Sequence, residues 1–408
     1  MSDAFPSHAG TRPLTEAEKL VIAIASGVSI GYALSLIAIF FQHIWILDAH
    51  GRAVEEDFLS FWTAGGAALK GMALAAYDAH RQHATQVTLM GHEFSGTLEW
   101  SYPPLFLFVA VCLACLPYAS AFALWSTATM AIHAGVAAAI AGQRRAFLLA
   151  CAAPWTFAAM LPGQNGFLTA ALLGLSLLHV ERRPAMAGLL IGLLSYKPQL
   201  GVLIPLALAA GGYWRSFAWA CAGCIGWNAL AGVVFGFGTF DAFVHAVRDT
   251  SHSHLIAGAL SWCKLQSAYG FARALGAGAV GAWGAQLVVS GAAAAAIVAC
   301  WRSDTPYALK AALLAALAPQ ATPYVLVYDL PVLSVAAAFL YRDRSFDRTD
   351  WCLLGAAAPL TFAFLFVPVP SAFLASVAVA AMVLRRIYSR TRISPSCATE
   401  ATSVPSAA

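Results

Sequence analysis

Residues 20–47 read LVIAIASGVSIGYALSLIAIFFQHIWIL and contain no Asp, Glu, Lys or Arg. About 20 apolar residues in a helix are enough to cross a hydrocarbon core roughly 30 Å thick, so this run predicts a membrane helix. It is too long for a signal-peptide core, and no small-residue cleavage site comes before the next polar region, so the helix is expected to be retained. The polar stretch ahead of it, with Arg12, Glu16, Glu18 and Lys19, reads as a cytoplasmic segment over residues 1–19.

Comparable runs recur along most of the 408 residues. The chain is 60% hydrophobic and 10% charged, whereas a soluble domain carries about a quarter charged residues. The period-2 alternation of a membrane barrel is absent, which leaves helices as the spanning structure. The expected fold is an all-α polytopic membrane protein, a bundle of roughly 10–13 transmembrane helices over residues 20–388. A Ser-, Thr-, Pro- and Ala-rich tail, residues 389–408, is expected to be disordered and cytoplasmic. Lipid bilayer is therefore one partner, and no nucleic-acid partner is expected.

Arg144 with Arg145, Arg182 with Arg183, Arg215, Arg302, Arg342 with Arg344 and Arg348, and Arg385 with Arg386 sit in short breaks between apolar runs. By the positive-inside tendency these breaks mark the cytoplasmic face. One point stays open: two crossings between Pro104 and Ala141 would put Arg144 and Arg145 outside, whereas one or three would put every arginine break on one face. Nine cysteines are scattered through apolar segments. Cys112 with Cys115 and Cys221 with Cys224 read as small packing residues one turn apart, so neither a disulfide framework nor a zinc site is expected.

The longest polar region, residues 48–102, falls on the opposite, outer face and is acidic overall. Within it EEDFLSFW, residues 55–62, runs three carboxylates into an apolar cluster. Phe58, Phe61, Trp62, Gly65, Leu69 and Met72 follow a 3 to 4 residue spacing, which predicts an interfacial amphipathic helix. Asp57 stands at its start, either as an N-cap or as a catalytic carboxylate. Glu55 and Glu56 are expected to be solvated. A second outer loop covers about residues 238–264.

Polar groups collect where paired apolar runs break: Gln164 and Asn165; Tyr196, Lys197 and Gln199; Gln320, Tyr324, Tyr328 and Asp329. A lysine near the bilayer centre costs roughly 2.5–3.5 kcal/mol on insertion scales, so Lys197 is expected to be paired or to line a wet cavity, unless it snorkels to the interface. His252 and His254 have spacing that could hold a metal, yet no third His or carboxylate follows at helical spacing. They are expected to form hydrogen bonds near an acceptor instead, and no metal site is expected. Phosphate-loop, H-E-x-x-H and G-x-S-x-G patterns are absent, which argues against nucleotide-driven transport and soluble-type hydrolysis.

Asp57-Phe58 followed by Phe61-Trp62-x-Ala64, Leu69-x-Gly71 and Tyr77-Asp78 resembles the first-loop pattern of glycosyltransferase family 87, also described as DUF2029. Tyr102-Pro103-Pro104, Gly163-Gln164-Asn165, Lys197-Pro198-Gln199 and the segment from Pro323 to Tyr328-Asp329 are similar in type and order, over about residues 20–385. That family includes polyprenyl-phosphomannose-dependent mannosyltransferases of mycobacterial phosphoinositide mannoside synthesis. The resemblance implies a GT-C fold in the bacterial inner membrane, with the active site facing the periplasm or exterior. It implies a polyprenyl-phosphate sugar donor, a lipid or glycan acceptor and no cofactor, the lipid-phosphate sugar being a substrate. Mannose is the leading donor sugar. By the same resemblance Asp57 is the catalytic base of an inverting transfer. Lys197, Lys264 and Arg81 are candidate cations for the departing phosphate, and Gln164, Asn165, Gln199, Tyr328, Asp329, His252 and His254 are candidate substrate contacts. A transporter or flippase of lipid-linked sugars is the rival reading, since broken helices with midplane polar groups also build transporters.

Overall fold

The computed structural model describes residues 16–95 and 98–393. Among them there is no strand, only isolated bridges that tie Trp45 to Leu47 and Leu47 to Ala53. The molecule is an all-α polytopic membrane protein. Five helices are individually long and apolar enough to cross a membrane.

The first, α1 (Glu16–Phe41), begins with Glu16 and Glu18 at the positive end of its dipole. Its 24 apolar-span residues cover about 36 Å, so Glu18 and the segment after Phe41 lie on opposite faces. The chain then turns sharply, with His43 and Ile46 at positive φ. A branched Ile in that region is strained by about 1–3 kcal/mol, and buried Trp45 offsets this by donating its Nε1 to the Leu161 carbonyl at 2.7 Å.

The segment expected on the outer face folds as α2 (Phe58–Leu69) and α3 (Ala79–Met90), followed by the short α4 (Leu107–Ala114). The apolar face expected of α2 exists, but its first half packs into protein: Phe58, Leu59, Phe61, Ala64 and Gly65 are buried. A Cβ on Gly65 would stand 2.0 Å from the Ala110 carbonyl of α4, so the glycine lets the two backbones touch. Only the far end presents apolar surface outward, through Leu69, Met72 and Leu74.

Helix α5 (Tyr118–Ala141) then crosses, with Tyr118 against Phe58 and Trp62 at one end. At the other end Arg145 pairs with Glu18 at 2.8 Å. The 11-residue Pro104–Ala114 segment reaches only about 16 Å, too short to cross. Arg144 and Arg145 therefore share a face with the start of α1, and the open question about residues 104–141 closes in favour of a single crossing.

From here the chain moves in legs between the arginine face and the Asp57 face. A broken leg, α6 (Arg145–Ala152) and α7 (Pro154–Met160), returns to the Leu161–Asn165 turn; α8 (Gly166–His179) leaves it. Then α9 (Pro184–Leu193) rises to Lys197, and α10 (Pro198–Gly201) with α11 (Leu203–Ala210) descends. Helix α12 (Trp214–Phe235) crosses again, and the expected second outer loop proves largely helical, as α13 (Gly238–Ser251) running into a π-turn at His252–Ala257. After α14 (Ala268–Ala274) come the long α15 (Ala279–Arg302), then α16 (Tyr307–Leu317), α17 (Val332–Asp343), α18 (Arg348–Phe362) and α19 (Ser371–Ile393). Helix α16 is buried almost all round by Ala and Leu and forms the centre of the bundle.

Two expectations change. Cys112, Cys115, Cys221 and Cys224 are exposed rather than packed between helices, because they fall on outward faces of α4 and α12. The tail boundary moves: α19 continues through residue 389 to Ile393, held by Arg385 on Asp347 and Asp350 and by Arg386 on the fully buried Asp350. The rest of the expected tail, residues 394–408, lies outside the described residues, as do residues 1–15.

The turn between α7 and α8 is the tightest point of the fold. Gly163 has φ +65, and a side chain there would meet Phe122 at 2.8 Å and Phe58 at 2.9 Å. A Cβ on Gly166 would stand 1.8 Å from the Tyr328 carbonyl. Overpacking of this kind costs about 1–3 kcal/mol, so Gly166→Ala is expected to lower the melting temperature of detergent-solubilised protein. Gly135→Ala, with nothing within 4 Å of the added methyl, is the control expected to leave it unchanged.

Candidate active site

An open cavity of about 130 Å³ lies where α2, the segment before Tyr102 and the end of α13 meet the tips of the broken legs. Asp57 at the start of α2 lines it with Gln164 from the α7–α8 turn, Lys197 and Gln199 from the α9–α10 break, and Tyr328 and Asp329 ahead of α17. His254 of the π-turn completes the set of expected residues found there.

Asp57 does not act as a side-chain cap: its backbone is helical and no cap hydrogen bond forms. Instead Gln164 donates its Nε2 to Asp57 Oδ2 at 2.9 Å. The same Gln164 accepts from the Tyr102 hydroxyl at 3.0 Å through its Oε1. One carboxylate oxygen is thus anchored, and Oδ1 has no protein donor among the described residues. Local chain geometry imposes this placement. The Phe58 amide donates to the Pro162 carbonyl at 3.1 Å and Trp125 Nε1 to the Gly163 carbonyl at 2.9 Å, which clamps the turn carrying Gln164 against the residue after Asp57. Behind it stands an aromatic wall, with Phe58 on Phe122 (centroids 5.0 Å apart), Phe61 on Phe106 (5.2 Å) and Phe106 stacked on Tyr196 (4.8 Å).

Lys197 is buried, 3% exposed, and forms an ion pair with Asp329, itself 2% exposed. It also donates to Asn165 Oδ1 at 2.7 Å and lies 5.5 Å from the Tyr328 ring centroid. The second oxygen of Asp329 accepts from the Leu326 amide at 3.0 Å. The lysine turns inward, so the snorkelling alternative is excluded. Asn165 sits beneath the cavity wall as a fully buried support.

Other expected residues lie elsewhere. Arg81 is 70% exposed, paired with Asp78 at 3.2 Å on α3, and does not reach the cavity. His252 points outward while His254, two residues on, points in and shares a hydrogen bond with the Tyr324 hydroxyl at 3.1 Å; the two imidazoles do not converge. Lys264 is exposed and forms no ion pair among the described residues, but is close enough to act electrostatically on Asp57. Among the described residues no group of three or more His, Cys, Asp or Glu is arranged to hold a metal ion.

The cavity also contains residues that sequence reasoning passed over. Glu99 and Ser101 line it from the segment before Tyr102, and Thr250 from the end of α13. Thr250 donates to Glu99 at 2.5 Å, and its hydroxyl meets that of Ser101 at 2.7 Å. Their one available signal was proximity to Tyr102-Pro103-Pro104; nothing in the spacing links residues 99 and 250.

Burial makes Asp57 bind its proton more tightly than an ordinary carboxylic acid, while the Gln164 hydrogen bond and the charges of Lys264 and Lys197 oppose that shift. Glu56 departs from the solvated state expected of it. It is half-buried, and burial together with the neighbouring charges of Asp57 and Glu55 pushes it up to about 8. Burial holds His254 below the usual imidazole value.

The family model of glycosyltransferase family 87 matches residues 100–328, more than half of the chain. The chain belongs to glycosyltransferase family 87. It is accordingly a membrane glycosyltransferase. The matched span of this family 87 enzyme includes Tyr102, Gln164, Asn165, Lys197, Gln199, His254, Lys264 and Tyr328. Asp57 precedes the span and Asp329 follows it by one residue. Comparisons with curated proteins and with solved structures return no match.

Two measurements test this arrangement. Lys197→Met leaves Asp329 buried without its partner, which costs about 3–5 kcal/mol; the double variant Lys197→Met with Asp329→Leu is expected to recover much of the lost thermal stability. Glu56 has its folded-state value raised from 4.5 to about 8, so the folded state holds the proton more tightly. Its stabilising contribution is full below pH 4.5 and erodes as the pH rises to about 8. Melting temperature measured across that range should fall less for Glu56→Gln than for wild type.

Proposed function

We propose that this glycosyltransferase moves a hexose, mannose first among those to test, from a polyprenyl-phosphate donor to a hydroxyl of a lipid or glycan acceptor. Asp57 is the base and the transfer inverts the donor anomeric carbon. The observation that carries this reading is the Asp57 carboxylate in the cavity wall, with Oδ2 held by Gln164 and Oδ1 left for an incoming hydroxyl.

In the proposed step the acceptor oxygen bonds to the anomeric carbon, and its proton passes to Asp57. The bond from that carbon to the phosphate oxygen breaks, and the electron pair leaves with the polyprenyl phosphate. A base positioned in this way contributes about 10² to 10⁴-fold. Its raised proton affinity supports the role, since a base works best when its pKa approaches the working pH.

The leaving phosphate needs positive charge nearby. Lys197 is already neutralised by Asp329 and Arg81 by Asp78, whereas Lys264 forms no ion pair among the described residues. Lys264 is therefore assigned to the phosphate, and Lys197 to holding Asn165 and the cavity floor. The chemistry uses no cofactor, because the lipid-phosphate sugar is itself the activated substrate. In this reading the arginine face is cytoplasmic, so the cavity opens to the periplasmic side of a bacterial inner membrane.

The test is transfer of radiolabelled sugar from polyprenyl-phosphate mannose in membranes. Asp57→Asn should lower turnover by about 10² to 10⁴-fold while Glu56→Gln stays near wild type; wild-type turnover in folded Asp57→Asn would overturn the assignment. Substrate flipping without transfer would favour a transporter. The rate should climb with pH as Asp57 ionises. Gln164→Leu removes a hydrogen bond that favours the ionised form, so this rise should move to higher pH as well as lose amplitude.

A further inference from the structure

At the other end of the bundle, α1, α6, α17 and α18 enclose an apolar groove of about 540 Å³, a volume typical of ligand sites. Helix α5 measures the separation: Trp125 touches the Gly163 turn beside the catalytic cavity, while Ala141 lines the groove. That stretch of helix covers about 24 Å.

The chemistry of the groove excludes water as its content. Its walls are aliphatic, with Ala25, Leu149 and Leu354 among them. The polar pair deep within it, Trp155 Nε1 and Ser334 Oγ, satisfies itself at 2.7 Å. The Ser334 hydroxyl keeps its own proton to donate, but a buried water needs two to four polar partners, and the aliphatic walls around it supply none. One wall is α1, a membrane-spanning helix whose apolar window is only 6% buried, so the groove borders bilayer hydrocarbon.

The mouth is different. Arg145 sits there, half-buried, bonded to Glu18 at 2.8 Å and to the Tyr341 hydroxyl at 3.3 Å. This is a neutral pair of opposite charges placed side by side where the helices meet the headgroup layer. A lipid with only a phosphate would face the Glu18 carboxylate at close range. A lipid carrying a phosphate and a primary ammonium presents the same two charges in reverse, and the ammonium supplies donors that Glu18 can accept.

We propose that this groove binds one bilayer phospholipid of the phosphatidylethanolamine type, an acyl chain lying along the groove, its phosphodiester on Arg145 and its ammonium on Glu18. The site is separate from the transfer cavity and does not depend on the reaction assigned to it.

The experiment uses full-length protein in nanodiscs containing equal parts phosphatidylethanolamine, phosphatidylcholine and phosphatidylglycerol, with lipid retained after detergent extraction counted by native mass spectrometry. Wild type should keep one phosphatidylethanolamine in preference to either competitor. Arg145→Gln and Glu18→Gln should each reduce that preference by about two- to fivefold, the scale of one charged contact near a surface. Ala338→Trp, which fills the groove, should remove the retained lipid while sugar transfer continues. If that variant does not fold, Ala25→Phe on the peripheral α1 fills the same space from the other wall. Equal retention of the three lipids by wild type, a preference for phosphatidylglycerol, or lipid retained unchanged in the filled-groove variant would each overturn the proposal.

Discussion

A buried ion pair, Lys197 with Asp329, holds together the two halves of the bundle that meet at the site. Lys197 ends the rise of α9, and Asp329 begins the descent into α17. Neither charge is tolerable alone at that depth, because desolvating an unpaired ion costs several kcal/mol. Each leg is therefore stable only with the other in place. The remaining polar bonds follow from this contact: Asn165 is fixed by Lys197, the turn through Gln164 follows Asn165, and Asp57 is oriented by Gln164.

Much of this could be read from the chain itself. Long charge-free runs such as residues 20–47 can only be membrane helices, and a Lys or Asp inside such a pattern has to find a partner. Gln164, Lys197, Gln199, Tyr328 and Asp329 were visible for that reason, each a polar residue at a break in an apolar run, whereas Asp57, inside a polar region, was marked by the apolar helix pattern after it and by the family resemblance. Glu99, Ser101 and Thr250 were not visible. They lie in polar segments, where another carboxylate or hydroxyl is unremarkable, and only tertiary folding brings residue 250 to residue 99. Arg81 failed for the converse reason: a surface cation in an outer segment looks the same whether it faces a ligand or its helix-mate Asp78.

Some features were legible only as alternatives. Asp57 at a helix start fitted a cap as well as the favoured base from sequence, and the two differ by a side-chain rotation that no pattern records. The number of crossings between residues 104 and 141 depended on whether a short helix stops partway, which the Arg145–Glu18 pair decides. The helical character of residues 238–251 was obscured because its mixture of aromatic, charged and hydroxyl side chains also suits a loop.

The glycine-clamped turn beneath the cavity has a consequence for how such a site can diversify. At Gly163 and Gly166 neighbouring atoms occupy the space any side chain would need, so the floor that holds Gln164 is closed to variation. The opposite wall includes Leu98, Glu99, Ser101 and His254, none of which bonds to Asp57 or Gln164. Substitutions among these four side chains would leave the carboxylate and its Gln164 anchor in place. The rigid floor of the cavity and the side chains that make no bond to its carboxylate thus lie on separate stretches of the sequence.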